Sequence, residues 1–516
     1  MTKKIYLIIL ILFSLSINQY YGYRGVFPID SFTTFDAGYH TMLGYHPFKD
    51  YWIITGPLLN YIQSIFFILL GVNWFSYALH ASVLNMILAL FSFYFFSKLG
   101  LNYFLTFIYS FGIALLAYPS IGTPFVDHHA SIFSIMSLYS LILGIYFKKN
   151  LFWFLIPIFL TFSFFSKQIP SSYLFLVFSI TIFYFLFFSE KRIKKTSIIY
   201  TASGCIFSAL SVLLIFYINE IPIKNFLTQY IYYPLSVGAS REKELVFSFS
   251  SYISQFKFIY IAIAPLILIS FFLFIKKKKN INFKKDITSI FVFFISILIF
   301  IYYQLITLNQ NFIFFLIPIC LGFVHIFVIK YYDNKYLSFF LLVILIFSVT
   351  KYHIRFNQDK KFMELENVSF DKSVDARQLD ASFRGLKWIT PMYKENPSQE
   401  VELLLETKNI LSKNNENKII ISDYMFFSAI LKNKFASPNK FYDKVSVPTK
   451  DNDYYIEYKN FFLERIKENN IKKIYFVGKH IYEMSFFEEF IKENKCLEIN
   501  ELNELLAEFD INNCKF

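Results

Sequence analysis

The stretch Pro28–Gly71, PIDSFTTFDAGYHTMLGYHPFKDYWIITGPLLNYIQSIFFILLG, decides how the rest of the chain is read. It lies between a first apolar segment, Ile5 to Ile17, and a long series of hydrophobic blocks. Within it stand three carboxylates, Asp30, Asp36 and Asp50, and two histidines, His40 and His46. Ionisable groups are costly beside a bilayer, so such a cluster between apolar segments marks a functional loop. The plainer reading is a solvated loop whose acids only aid solubility.

Outward from this loop the chain is dominated by apolar blocks. Of its 516 residues 56% are hydrophobic and 22% aromatic, with 69 Phe and 38 Tyr. Globular domains hold roughly 45–50% apolar residues, and the excess here ends near Tyr352. A run of about 20 apolar residues crosses the hydrocarbon core. Beyond Ile5–Ile17, spans are expected near 77–97, 103–118, 129–147, 151–166, 171–188, 197–218, 258–275, 287–304, 312–329 and 337–350, eleven in all. Pro57 to Leu70 is apolar but short and follows a glycine, which predicts a re-entrant or interfacial helix. The alternation of a membrane β-barrel is absent.

The net charge of +13 sits mainly in short loops: Lys191, Arg192, Lys194 and Lys195, then Lys276 to Lys279 with Lys284 and Lys285. That is the positive-inside pattern, not a nucleic-acid-binding stripe. MTKK before the first apolar segment, with no small-residue cleavage site after it, reads as an uncleaved signal anchor with the N-terminus inside. Eleven crossings then place the loop 20–76 and everything after residue 351 outside. Lys, Asn, Ile and Phe richness points to an AT-rich bacterial genome, hence a bacterial inner (plasma) membrane with a periplasmic tail.

The fold class expected is an α-helical polytopic membrane protein, 1–350, followed by a small extracytoplasmic α/β domain, 351–516. In the tail, Val401 to Ser412 has helical spacing. Lys418 to Ser422 (KIIIS) and Lys473 to Val477 (KIYFV) read as short buried strands. Cys496 and Cys514 are a disulfide candidate in an oxidising compartment, whereas Cys205 and Cys320 fall inside spans. The chain has no CxxC, Walker loop or GxSxG.

The order of residues in the loop is specific. Asp30 is followed by sixteen residues and then Pro47-Phe48-Lys49-Asp50, the end of Gly44-Tyr45-His46-Pro47-Phe48-Lys49-Asp50, then by Gly56-Pro57-Leu58-Leu59-Asn60-Tyr61 and a segment ending at Leu70-Gly71. This resembles the first outer loop of the GT-C glycosyltransferases related to the dolichyl-phosphate-mannose protein mannosyltransferases. It is also similar to the loop of the lipid-A aminoarabinose and core galacturonosyl transferases. Where those families open with Asp-Glu, this chain has Asp30-Ser31.

The resemblance implies inverting transfer of a hexosyl or pentosyl group. The sugar would pass from a polyprenyl-phosphate donor to a lipid, glycan or protein acceptor on the outer face of the membrane. One carboxylate would act as general base, for which Asp30 is the first candidate and Asp36 the second. A phosphate leaving group needs cations, not an acid. Lys167, between two spans, suits that role, although it could also snorkel to headgroups. Arg241 and Lys243 are weaker candidates. Asp50, Asp127 and His128 are candidate substrate contacts. Asp127-His128-His129 could also hold a divalent metal, the only cofactor suggested, or Asp127 could simply cap a helix. His80 and His325 are expected to be structural. The competing reading is a transporter or flippase of lipid-linked saccharides, which would carry repeats and mid-membrane charges.

Overall fold

The computed structural model describes residues 2–187, 191–243, 248–275, 281–307, 313–414, 416–435, 437–443, 445–478, 498–512 and 514. Eight of its helices are long and apolar enough to cross a membrane, among them Lys3–Gly22, Trp74–Lys98, Val126–Phe147, Gln168–Phe187 and Phe283–Thr307. The protein is an integral membrane protein. Three more of the expected spans are helical but shorter: Asn150–Ser166, Lys257–Leu273 and Leu316–Tyr331. At 1.5 Å per residue such helices reach only about 24–26 Å, against a hydrocarbon core of about 30 Å. Lys276–Lys279 and Cys496 lie outside the described residues. Cys205 and Cys320 are free thiols, and Cys514 packs against an apolar cluster of the tail.

Two helices occupy the loop 20–76, Pro28–Met42 and Pro57–Leu70. Each begins with proline at its first position, where the missing N–H costs nothing and φ is already helical. Gly56 enters the second through φ +76°, and a Cβ there would sit 2.6 Å from Val126. The C-terminal half of this helix leaves Ile65, Ile68, Leu69 and Leu70 exposed, an apolar edge suited to lipid.

In the tail, Lys418–Ser422 and Lys473–Val477 pair in parallel, as their continuous burial demands. The hairpin Glu498–Asn503/Leu506–Asp510 extends this sheet antiparallel, in the order 418, 473, 506, 498. Alternation along the strands divides their side chains between two faces. Ile419, Ile421, Ile474 and Phe476 pack with Phe461, Phe462 and Ile466 of the helix Tyr455–Glu468. Ile420, Tyr475 and Val477 pack with Val401, Leu404 and Leu411 of the helix Pro397–Lys413.

Both of these clusters extend into the loop 20–76. Phe32, Phe35 and Trp74 join Phe383, Trp388 and Phe426 in one; Trp52 and Ile54 join Tyr458 and Phe461 in the other. The Phe32 ring lies 5.7 Å from Trp388 and 4.9 Å from Phe426. Backbone bonds reinforce the contact: Trp52 N–H donates to Pro438 O at 2.7 Å and Val26 N–H to Ile389 O at 3.1 Å. Loop and tail therefore lie on one side of the membrane.

Candidate active site

Helix Pro28–Met42 places Asp30 in its first turn, where a carboxylate complements the helix dipole. Asp30, Thr33 and Thr34 share a face at i, i+3 and i+4 and line a cavity of about 680 Å³. Six residues on, Asp36 is turned away by about 240° net and is not among the lining residues.

Two junctions between helices complete the polar end. Asp127 stands in the first turn of Val126–Phe147, and Lys167 in the extended residue between Asn150–Ser166 and Gln168–Phe187. The Lys167 ammonium is 2.8 Å from Asp127 Oδ1 and sits over the Tyr303 ring at 5.5 Å. The Tyr303 hydroxyl donates to the same Asp127 oxygen. Lys167 is thus drawn inward and does not snorkel, and Asp127 is an ion-pair partner, not a helix cap. Gln168 Nε2 holds the adjoining wall by donating to Ile54 O and Tyr230 O, both at 2.8 Å.

Helix Tyr233–Lys243 and the tail residues Asn439, Lys440, Phe441, Asp443, Val445 and Ser446 close the cavity from the other side. Arg241 lines it and makes no hydrogen bond or ion pair among the described residues. Glu242 accepts from the Tyr302 hydroxyl at 2.8 Å. From the tail, Asn439, Lys440 and Asp443 reach the lining. The Asp443 carboxylate is engaged by Val445 N–H at 3.2 Å and Ser446 N–H at 2.6 Å.

The Asp30 carboxyl has no hydrogen bond among the described residues. Burial raises it to about 7; the negative charges of Asp127 and Asp443 add to the rise and Lys167 opposes it. Asp36 differs in every respect. It is 1% exposed and paired with Lys440 Nζ at 2.8 Å and His40 Nδ1 at 3.1 Å. Burial works to raise its carboxyl, but His40 and Lys440 outweigh it and hold it below the ordinary range.

The remaining expected site residues are dispersed. Asp50 Oδ2 accepts from His46 N–H at 2.6 Å and closes a local turn outside the cavity. His128 Nε2 bonds Ala117 O at 2.9 Å, away from the lining. His129 faces His80, with their Nε2 atoms 2.9 Å apart. Asp127, His128 and His129 thus point to different partners, and among the described residues no group of three or more His, Cys, Asp or Glu is disposed to hold a metal. His325 is buried against the Tyr109 hydroxyl at 2.8 Å.

Sequence reasoning missed Tyr303, Lys440 and Asp443. Tyr303 is a tyrosine inside an apolar helix among many. Lys440 and Asp443 stand in a tail stretch with no motif.

No protein-family model matches the chain, and no curated protein does. Among solved structures, it is similar to the archaeal oligosaccharyltransferase AglB from Archaeoglobus fulgidus, in complex with an inhibitory peptide and a dolichol-phosphate. The identity is 12% and the TM-score 0.48, over 95% of this chain and 71% of that one.

Proposed function

We propose that this protein is an inverting membrane glycosyltransferase. It would move a sugar from a polyprenyl-phosphate donor to an acceptor hydroxyl, with Asp30 as general base. The observation that carries the reading is the contrast among the cavity's carboxylates. Asp127 is engaged by Lys167 and Tyr303, Asp443 is tied to two backbone N–H groups, and Asp30 alone of these three has no hydrogen bond among the described residues. A base works best when its proton affinity lies near the working pH, which an Asp30 raised to about 7 satisfies.

In the step proposed, the acceptor oxygen forms a bond to the sugar's anomeric carbon as the bond from that carbon to the phosphate oxygen breaks. The acceptor proton passes to Asp30 and the electron pair leaves with the polyprenyl phosphate. Arg241 is the cation open to meet that phosphate, since Lys167 is occupied by Asp127. A guanidinium binds phosphate oxygens in bidentate fashion.

The outer face is the side proposed for the cavity. Lys330, which pairs with buried Asp286 at 2.6 Å, and Lys285, bonded to Tyr146 O at 3.1 Å, belong to the loops that charge assigns inside. Loop and tail share one side, which requires an even number of crossings between Gly22 and Lys351. Seven of the eight long helices lie in that interval, and Pro57–Leu70 belongs to the loop itself, so one or all three of Asn150–Ser166, Lys257–Leu273 and Leu316–Tyr331 must also cross. Eleven crossings meet the requirement, and the tail is then periplasmic.

The test is transfer of radiolabelled sugar from a panel of polyprenyl-phosphate donors by the purified full-length protein. Asp30→Asn should lower turnover by about 10²-fold or more. Undiminished transfer by this variant would overturn the assignment.

A further inference from the structure

Four buried side chains outside the cavity lining form one hydrogen-bonded chain. Gln63 Oε1 is 2.9 Å from His80 Nδ1; His80 Nε2 is 2.9 Å from His129 Nε2; His129 Nδ1 meets the Tyr118 hydroxyl. All four are at most 2% exposed. None lines the cavity. They come from three helices and the turn Tyr118–Ser120.

Hydrogen-bond logic orders this chain. With its carbonyl facing His80, Gln63 requires a proton on His80 Nδ1. His80 Nε2 then accepts, so His129 Nε2 donates, and His129 Nδ1 accepts from Tyr118 O–H. The two imidazoles must therefore be opposite tautomers. Turning the Gln63 amide over would reverse the direction and keep that opposition.

Each end of the chain abuts an element of the site. The His129 backbone N–H donates to Phe125 O at 3.1 Å, closing the first turn that bears Asp127. At the other end, the Gln63 stem packs against Gly38 of the Asp30 helix, where an added Cβ would come within 2.5 Å of Gln63 Cγ. Apolar packing alone would not need polar side chains at this depth, where an unpaired polar atom is costly, and three successive contacts pair Gln63 Oε1, both ring nitrogens of His80 and of His129, and the Tyr118 hydroxyl.

We infer that Gln63, His80, His129 and Tyr118 form a strut that sets the separation of Asp30 and Asp127, so that His80 and His129 are positioning residues for the transfer reaction. The inference rests on the proposed function for its activity readout only. Misplacing a reacting group by about 1 Å can cost up to about 10²-fold in rate.

The test compares His80→Gln, which can still accept from His129 and donate to Gln63, with His80→Leu, which can do neither. His80→Leu should lose about 10-fold or more in turnover at little-changed KM. Its rising pH limb should move down as Asp127 leaves the neighbourhood of Asp30. His80→Gln should stay within about 3-fold of wild type with the limb unmoved. Equal behaviour of the two variants, or a wild-type rate and limb in His80→Leu, would overturn the strut. Should His80→Leu not fold, Gln63→Leu cuts the chain at its end and replaces it. Nitrogen-15 NMR of histidine-labelled full-length protein gives a readout independent of activity. Opposite tautomers for His80 and His129 support the strut, and a shared tautomer refutes it, even if wild type transfers no sugar.

Discussion

Helix Pro28–Met42 carries two aspartates in opposite circumstances. Asp30, in the first turn, faces a cavity and is raised to about 7, chiefly by burial. Asp36, deeper in the helix, is locked between His40 and Lys440 and held below the ordinary carboxylate range. The same residue type, six positions apart, serves reactivity in one place and assembly in the other. What separates them is the partner set: Lys440 comes from the tail and satisfies Asp36, while no cation is spent on Asp30. A carboxylate's ion pair is therefore evidence against its being the base.

Breaking the locked side should give the largest effect. Asp36→Asn leaves Lys440 buried without its countercharge, a change that costs roughly 3–5 kcal/mol. Thermal or denaturant unfolding should show that loss, and the Asp36→Asn/Lys440→Met double variant should recover much of it. Because the Asp36 carboxyl is lowered in the folded state, its contribution is present above its unfolded value near 3.8 and lost as pH falls below that toward the folded value. Wild type should lose stability in acid more steeply than Asp36→Asn.

Asp30→Asn should behave in the reverse manner. Turnover falls about 10²-fold or more, while unfolding is little changed because no bond is lost. Loss of stability matching that of Asp36→Asn would erase the distinction between the two sites. Next in size, Arg241→Ala should raise the donor KM by about 10-fold, the value of one charge-assisted phosphate contact, and leave unfolding unchanged. Smallest of all, Asp50→Asn should change turnover by less than about 3-fold, since its carboxylate only closes the turn at His46.

Much of this architecture was legible in the residues. KIIIS and KIYFV formed at the positions expected because a buried strand is a continuous apolar run with sharp polar ends. Asp30, Asp127 and Lys167 were singled out because ionisable groups at the ends of apolar segments are rare, and the structure brings them to one cavity. The hairpin from Glu498 was not legible: its edge strand EINELN is almost wholly exposed and carries no hydrophobic alternation. Nor were Lys440 and Asp443, which reach the cavity through a long-range fold of the tail onto the loop. Asp50 and His128 looked like contacts from their neighbours in sequence, and each is consumed by a local backbone bond.

The central claim, that Asp30 and not Asp36 takes the acceptor proton, is tested most directly by the pH dependence of kcat/KM. With Asp30 raised to about 7, its reactive unprotonated form grows through neutral pH. Wild type should therefore show kcat/KM rising with unit slope below about pH 7 and levelling above it, and the limb should vanish in Asp30→Asn while persisting in Asp36→Asn. A limb that survives in Asp30→Asn and disappears in Asp36→Asn would contradict the account.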